Sequence, residues 1–268
     1  MRSLEKYAST LLLALALLYS AYQVGLFNLP RLIRGVYNLG DLLVEVLPPN
    51  PEIIPEALAA LTETIQMAFI GTFIGFLLSI PFSTLGLRTV FSPAVTTPVR
   101  VLLGAIRTIP ALFWAVIFVI AVGLGPLAGA LALSVYTLGY LSKLYYEAFE
   151  AVDVDILDTL RCTGASRIAL IRFAIIPESM NTIISQLLFM FEYNIRSSAV
   201  LGFVGAGGVG FLMVSYIERL QYQSLTTVII LTLLIVVAID AVSSLVRKLY
   251  LPQVRRATGK IRSASQVS

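Results

Sequence analysis

Long apolar stretches, separated by short polar breaks, run through most of the 268-residue chain. Crossing about 30 Å of hydrocarbon as an α-helix takes roughly 20 mostly apolar residues, and five or six stretches approach that length. We predict spans over residues 8–27, 57–78, 99–122, 126–146, 179–191 with its continuation, and 226–246. The pattern therefore predicts an all-α integral membrane protein with about six transmembrane helices.

Two segments interrupt this pattern, and we expect both to lie outside the hydrocarbon. Residues 28–55 are amphipathic and end in a run with four prolines, which is typical of a segment at the membrane surface. Residues 147–172 form a long polar interruption. The chain then divides into an N-terminal helix with its surface segment, a core transmembrane domain and a basic tail, covering residues 1–56, 57–247 and 248–268.

The composition supports a lipid environment and excludes several kinds of chemistry. Hydrophobic residues make up 58% of the chain and charged residues 13%, against about 45–50% and about 25% in a typical soluble domain. There is no histidine, which removes imidazole metal ligands and histidine-dependent catalysis. The single cysteine, Cys162, excludes an internal disulfide or a cysteine-ligated zinc site. We expect no catalytic residue, no metal site and no cofactor in this chain.

The net charge is +4, and what it implies depends on where the basic residues lie. Basic residues of membrane proteins concentrate in cytoplasmic segments. Six predicted spans place both termini on one side, and that side receives more basic residues than the other: Arg88, Arg100, Lys143, Arg161, Arg167 and Arg172 against Arg31, Arg34, Arg196 and Arg219. We expect a multi-pass protein of the cytoplasmic membrane with both termini in the cytoplasm. The basic tail directly follows an apolar span and has no aromatic platform, so we expect no nucleic-acid partner.

Residues 153–177 predict a structured element outside the membrane. Gly164 can adopt a positive φ and end a first short helix, and Ser166 can cap a second one, whose apolar run continues to Pro177. The segment resembles the cytoplasmic EAA loop of ABC importer permeases, in which an acidic residue, a glycine and a closing proline match Asp158, Gly164 and Pro177. The sequence Asp-Thr-Leu, beginning at Asp158, stands where the family usually has Glu-Ala-Ala.

The resemblance implies that residues 153–176 form coupling helices that sit in a groove of an ATPase subunit. The residues expected to make or bound that contact are Asp158, Arg161, Thr163, Gly164, Ala165, Ser166 and Pro177. The alternative from the residues alone is an ordinary charged loop between two spans.

The segment of residues 192–210 ends in a glycine-rich stretch. It contains the spacing G-x-G-x-x-G, but that spacing indicates a dinucleotide site only between a strand and a helix, whereas membrane helices are predicted on both sides. We interpret the stretch as a turn at membrane depth, where small residues permit close helix approach. Its glycines are Gly202, Gly205, Gly207, Gly208 and Gly210. The sequence NIRSSAVLGFVGAGGVG, with PPN at residues 48–50, resembles the phosphonate-type branch of ABC importer permeases.

Polar residues inside predicted spans are costly in lipid and are therefore candidates for function. Arg107 shortly precedes Pro110, which can break the helix and free backbone groups beside it. An arginine fork matches the paired oxygens of a phosphorus oxyanion. The candidates for a translocation pathway are Arg107, Glu63, Gln66, Glu192, Asn194 and Arg196. The alternative is that Arg107 or Arg196 pairs with Glu63 or Glu192 and only holds helices together.

The resemblance implies a type I ABC importer permease, which is a transport subunit rather than an enzyme. Its expected partners are a dimer of ATPase subunits that bind ATP and Mg²⁺, an extracytoplasmic substrate-binding protein and a second permease copy in a homodimer. The expected cargo is phosphonate, phosphite or phosphate, with methionine or another small solute as the alternative. An ion-coupled secondary transporter is disfavoured because matching halves with broken helices are not evident, and an intramembrane enzyme because no span carries paired catalytic carboxylates.

Overall fold

The computed structural model describes residues 2–250, and in that range the backbone is helical without a β-strand. Eleven α-helices lie in the described range: α1 (Arg2–Gln23), α2 (Leu29–Glu45), α3 (Ile54–Leu85), α4 (Pro93–Thr108), α5 (Ala111–Val122), α6 (Pro126–Glu150), α7 (Val154–Cys162), α8 (Arg167–Leu170), α9 (Ile176–Leu201), α10 (Gly208–Glu218) and α11 (Tyr222–Tyr250). The all-α prediction is confirmed. Of the predicted basic tail, residues 251–268 lie outside the described range.

The chain divides after Pro49 into two compact units, of which α1 and α2 make up the first. α2 is amphipathic, because helical spacing puts Arg31 and Arg34 on one face and most of its leucines on the other. Asn28 begins this helix, since its side chain accepts a hydrogen bond from the backbone N–H of Arg31 at 3.2 Å. The location of α2 at a membrane surface stays a prediction.

The second unit is built around the packing of α3 against α6. A methyl group added to Gly71 of α3 would lie 2.6 Å from Cβ of Leu133 in α6. One added to Gly75 would lie 2.5 Å from Cβ of Thr137. Glycines four residues apart share a helix face and permit close approach of a second helix. These two positions therefore set the distance between the central helices.

Four helical segments in the described range are long and apolar enough to cross a membrane: Pro51–Leu85, Pro126–Glu150, Arg167–Val204 and Tyr222–Leu249. α4 and α5 qualify together as a fifth, although they are bent by 87° relative to each other. α1 contributes a shorter apolar stretch, Ser9–Gln23. The predicted number of about six spans is therefore approximate.

The bend between α4 and α5 follows from one proline. Pro110 has no N–H to donate, and its ring disfavours the helical conformation for the residue before it. Ile109 accordingly adopts extended backbone angles, with φ −83° and ψ 119°. The stretch predicted as one span over residues 99–122 is therefore two helices.

Pro177 does not close the apolar run, so that part of the sequence prediction is wrong. The helix continues from Arg167 to Val204, with a π turn at Ile171–Ile175 just before the proline. In this turn the N–H of Ile176 donates five residues back, to the carbonyl of Ile171. The wider turn accommodates a proline ring that would clash with a regular helical carbonyl. The second of the two predicted short helices is thus the start of the long helical segment that contains α9.

Candidate functional site

The connection between α6 and the long helix protrudes as a short helix and a glycine turn; we call residues 153–176 the protruding segment. Asp153 caps α7 with its side chain. Gly164 adopts φ +77° and donates its N–H to the carbonyl of Arg161 at 2.9 Å. Ser166 accepts a hydrogen bond from the N–H of Ala169 at 3.3 Å and caps the next helix. The predicted glycine turn and serine cap are both present.

Buried apolar side chains, among them Leu157 and Ile175, anchor the protruding segment while others stay exposed. Leu157 of α7 is 2% exposed and belongs to a buried cluster that includes Leu87 and Phe149. By contrast, Ile168 is 75% exposed and Phe173 is 67% exposed. The segment is therefore fixed by buried side chains and also presents exposed apolar ones.

Two charged residues of the predicted contact interact with each other. Asp158 accepts a hydrogen bond from Nη1 of Arg161 at 2.8 Å, and both side chains are exposed. Nη2 of Arg161 also donates to the carbonyl of Thr89 at 3.0 Å, which joins α7 to the loop between α3 and α4. Thr163 donates its hydroxyl to the carbonyl of Leu160 at 2.7 Å. Arg161 therefore has a structural contact that the sequence did not suggest.

The break between α4 and α5 carries Arg107 in the last turn of α4. Arg107 is exposed, and among residues 2–250 no acidic side chain forms an ion pair with it. The carbonyl of Ile106 lacks its helical donor because Pro110 has no N–H. The indole N–H of Trp114 donates to that carbonyl instead, at 3.3 Å. Trp114 thus satisfies the carbonyl that the break exposes and bridges α4 and α5.

A cluster of tyrosines lies next to Arg107 and was missed by the sequence analysis. Tyr136 of α6 stacks on Tyr193 of α9 with ring centroids 5.7 Å apart, and their hydroxyl oxygens are 3.3 Å apart. Tyr140 stacks on the other side of Tyr136 at 6.1 Å. A methyl group added to Gly139 would lie 3.1 Å from the backbone N of Arg107, so the last turn of α4 packs against α6 between Tyr136 and Tyr140. The available signal was the spacing of four between Tyr136 and Tyr140, which puts both on one face of a predicted span.

Asn194 lies at the centre of the bundle rather than on an open surface. It is fully buried, and its Nδ2 donates to the hydroxyl oxygens of Thr72 in α3 and Thr137 in α6, each at 2.8 Å. Its Oδ1 is buried and has no hydrogen-bond partner in the described part of the chain. Asn194 therefore joins α3, α6 and α9.

Glu63 caps the glycine-rich turn. Its Oε1 accepts the N–H of Gly208 at 3.0 Å, while the neighbouring Thr64 accepts the N–H of Val209 at 2.8 Å. Both acceptors satisfy N–H groups at the start of α10 that have no partner within that helix. Gln66, one turn further along α3, is exposed and does not reach this turn.

The glycine-rich turn requires its glycines for two separate reasons. Gly205, Gly207 and Gly208 have φ of +84°, +79° and +69°, a region that side chains rarely adopt. Gly202 and Gly210 instead pack against backbone, and a methyl group on Gly210 would overlap the carbonyl of Ala199. Helices flank the turn on both sides, so the setting of a dinucleotide site is absent from the described chain.

The ion pairs between α9 and α11 differ from the expected ones. Glu192 pairs with Arg247 at 2.7 Å, and its side chain is only 8% exposed. Arg196 pairs with Asp240 at 3.4 Å. The suggested pairing of Arg107 or Arg196 with Glu63 or Glu192 is therefore wrong, because α11, not α3 or α4, packs its charges against this part of α9.

The predicted pathway residues thus fall into separate places instead of one pocket. Glu63 lies at the glycine-rich turn, Glu192 and Arg196 face α11, and Asn194 lies inside the bundle. Arg107 lies at the break beside the tyrosine cluster. The described part of the chain has no group of three histidine, cysteine or acidic side chains that could hold a metal ion.

Comparison with known proteins identifies relatives of this chain. The family model described as "Binding-protein-dependent transport system inner membrane component" matches residues 71–256. The chain is similar to the phosphite transport system permease protein PtxC of Stutzerimonas stutzeri, with 33% identity over 232 residues that cover 86% of this chain and 84% of that protein. It is also 35% identical, over 218 residues, to the phosphate-import permease protein PhnE of Mycolicibacterium smegmatis, covering 81% of this chain and 41% of that longer protein.

The fold is similar to that of a solved transporter. A chain from the inward-facing MetNI methionine ABC transporter matches with a TM-score of 0.68, covering 75% of this chain and 98% of that one. Sequence identity in this match is 21%, so it bears on the fold alone.

Proposed function

Since the chain belongs to the family of binding-protein-dependent transport system inner membrane components, we propose that it is the permease subunit of an ABC importer for a phosphorus oxyanion: phosphite, phosphonate or phosphate. The relatives that cover most of this chain are named for phosphite or phosphate transport. The methionine transporter that matches in structure shares much less sequence, which leaves a methionine cargo with less support.

The protruding segment is the observation that carries the proposal. It combines a buried anchor at Leu157 with exposed Ile168 and Phe173 beside an ordered turn at Gly164. Such a surface suits the groove of an ATPase subunit, which would bind ATP and Mg²⁺ and hydrolyse ATP. The sequence itself has no G-x-x-x-x-G-K-[ST] phosphate-binding loop. Closure of the ATPase pair would then displace the segment and switch the permease between inward-open and outward-open states.

The break between α4 and α5 is the proposed point of contact with the cargo. Arg107 offers a planar cation with several donors, and α6, which packs against α4, carries Tyr136 with its hydroxyl against that of Tyr193. A phosphorus oxyanion accepts hydrogen bonds from both kinds of donor. A few exposed donors bind an anion weakly enough to release it, which passage requires.

The proposed assembly has two permease copies, two ATPase subunits and an extracytoplasmic binding protein that delivers the anion. The excess of basic residues on the side of the protruding segment supports its location in the cytoplasm, together with both termini. The other pathway candidates, Glu63, Glu192, Asn194 and Arg196, act in this proposal by holding the helices around the path.

Reconstitution with the partner proteins tests the cargo. Proteoliposomes containing the permease, its ATPase and its binding protein should take up labelled phosphite, methylphosphonate or phosphate when ATP is enclosed, and should not take up methionine. ATP-dependent methionine uptake without anion uptake would contradict the proposal.

A glycine substitution tests the docking role. Gly164→Ala forces a side chain into φ +77°, although no atom lies within 4 Å of the new methyl group. Gly25→Ala is a matched control, because Gly25 has φ +79° and equally open surroundings in the first unit. We expect ATPase co-purification to fall for Gly164→Ala and to persist for Gly25→Ala. Equal co-purification of both variants would contradict the docking role.

A further inference from the structure

A partly buried ion pair fastens the middle of α4 to the ends of two other helices. Nη2 of Arg100 lies 2.5 Å from Oε1 of Glu150 at the end of α6, with the two side chains 17% and 25% exposed. Nε of Arg100 donates to the carbonyl of Gly86, just after α3, at 2.8 Å. The guanidinium also lies over the ring of Tyr146 at 4.2 Å. Arg100 therefore uses its planar fork on three neighbours, which a lysine could not reproduce.

The same carboxylate holds the loop between α3 and α4. Oε1 of Glu150 accepts the backbone N–H of Arg88 at 2.9 Å. The next residue, Thr89, accepts the hydrogen bond from Arg161 of α7 at 3.0 Å. Two consecutive loop residues are thus held by α6 and by the protruding segment. These hydrogen bonds form a continuous chain of contacts from α7, through the loop, to the Arg100–Glu150 pair.

α4 connects this pair to the break. Arg100 and Arg107 are seven residues apart, which is about two helical turns or roughly 10.5 Å along the axis, and this spacing puts them on the same face. The ion pair holds the middle of α4, and the last turn of α4 carries Arg107 where it packs against Gly139 of α6. The two turns of helix between Arg100 and Arg107 can carry a displacement from one residue to the other.

We propose that Arg100 and Glu150 are a positioning pair that transmits displacement of the protruding segment to the break between α4 and α5. The proposal rests on the proposed role of that segment as the ATPase docking site. Neither residue touches the cargo. Their role is to make α4 follow α7, so that ATP hydrolysis and movement at Arg107 occur together.

The test compares two ion pairs whose glutamates both lie on α6. Glu150→Gln and Arg100→Ala break the pair, whereas Glu147→Gln breaks the exposed pair of Glu147 with Lys143, at 3.4 Å on the same helix. In proteoliposomes supplied with phosphite, we expect both pair variants to retain the ATPase but to consume about tenfold more ATP per anion imported. Glu147→Gln should match the unsubstituted protein, and Arg100→Lys should recover part of the loss. If the pair variants consumed the same amount of ATP per anion imported as the unsubstituted protein, the proposal would be overturned. A fall of uptake and ATP hydrolysis in the same proportion is one such result.

A second readout does not depend on the cargo. Trp114, the single tryptophan of the chain, bridges the break through its bond to Ile106. Permease carrying fluorotryptophan and reconstituted with unlabelled ATPase should change its fluorine NMR shift when ATP and vanadate close the ATPase. In Arg100→Ala the shift should stay at its nucleotide-free value while the ATPase remains bound, and a full change would overturn the proposal. If no phosphorus anion is imported but the fluorine shift behaves as expected, the assigned cargo fails and the positioning pair stands.

Discussion

Asn194 offers a test of whether a buried polar residue in this bundle serves structure or transport. Replacing it by leucine removes two hydrogen bonds, to Thr72 and Thr137. Hydrogen bonds between membrane helices average about 0.6 kcal/mol each, so the loss is about 1.2 kcal/mol. The substitution also removes the buried Oδ1 that has no partner in the described chain, and such a group costs about 1–3 kcal/mol. Thr72 keeps its own bond to the carbonyl of Ala68 at 2.6 Å.

The buried hydroxyl of Thr137, whose partner in the described chain is Asn194, is left unsatisfied at a cost similar to that of Oδ1. The two unsatisfied groups cancel, so we expect Asn194→Leu to lower the free energy of unfolding by about 1 kcal/mol. Asn194→Asp has almost the same shape but places a carboxylate in the bundle interior, where an ionised side chain costs about 2.5–3.5 kcal/mol. Unfolding in detergent, followed by circular dichroism during denaturant titration, measures both differences. We expect the leucine variant to be more stable than the aspartate variant by at least about 1.5 kcal/mol.

Two results would refute this reasoning. Equal destabilisation by leucine and aspartate would mean that shape rather than hydrogen bonding determines the cost. An aspartate variant as stable as the unsubstituted protein would mean that the site is hydrated or binds a cation. Uptake measured on the same samples tells a structural role of Asn194 from a role in transport. We expect Asn194→Leu to retain transport. Loss of uptake in a folded variant would indicate that Asn194 belongs to the translocation pathway.

Two further predictions concern the cargo contact and the glycine-rich turn. Arg107→Ala should lower phosphite uptake at low phosphite concentration at least about tenfold, since a hydrogen bond to a charged group is worth about 1.5–3 kcal/mol. Arg219→Ala removes an exposed arginine elsewhere and is the control. Normal uptake in Arg107→Ala would contradict the pathway role. Gly210→Ala should lower stability by about 1–3 kcal/mol, because its methyl group meets the carbonyl of Ala199 and the site is overpacked. A methyl group added to Gly104 would have no neighbouring atom within 4 Å, so Gly104→Ala should leave stability unchanged or raise it slightly. Thermal unfolding in detergent measures both variants, and equal unfolding temperatures would contradict this account.

Local rules predicted the protruding segment well. The turn at Gly164 and the cap at Ser166 depend only on backbone sterics and on N–H groups within a few residues. Pro177 shows the limit of such rules, because a proline ends a regular helix but is accommodated by a π turn. Nothing in the sequence around Pro177 indicates that turn, since it depends on how the surrounding bundle holds residues on both sides.

Partners of polar residues were harder to predict, because they depend on which helices pack together. Glu192 and Arg247 are 55 positions apart in the chain and meet only because α9 packs against α11. Tyr136 and Tyr193 meet through the packing of α6 on α9. A single sequence marks each of these residues as unusual in an apolar span but does not pair them.

The structure therefore refines the rule that polar residues in a span indicate function. Glu63 and Glu192 already have partners that hold a turn or a helix, so removing either one leaves a partner unsatisfied in the bundle. Arg107 has no ion-pair partner in the described range, and the carbonyl exposed by Pro110 beside it is satisfied by Trp114. A cation left exposed where the backbone is already satisfied is free to meet a passing anion. Of the six polar candidates, Arg107 and the exposed Gln66 have no hydrogen-bond or ion-pair partner in residues 2–250, and of the two only Arg107 carries a positive charge that attracts an anion. Arg107 also lies two turns from Arg100 on the same helix.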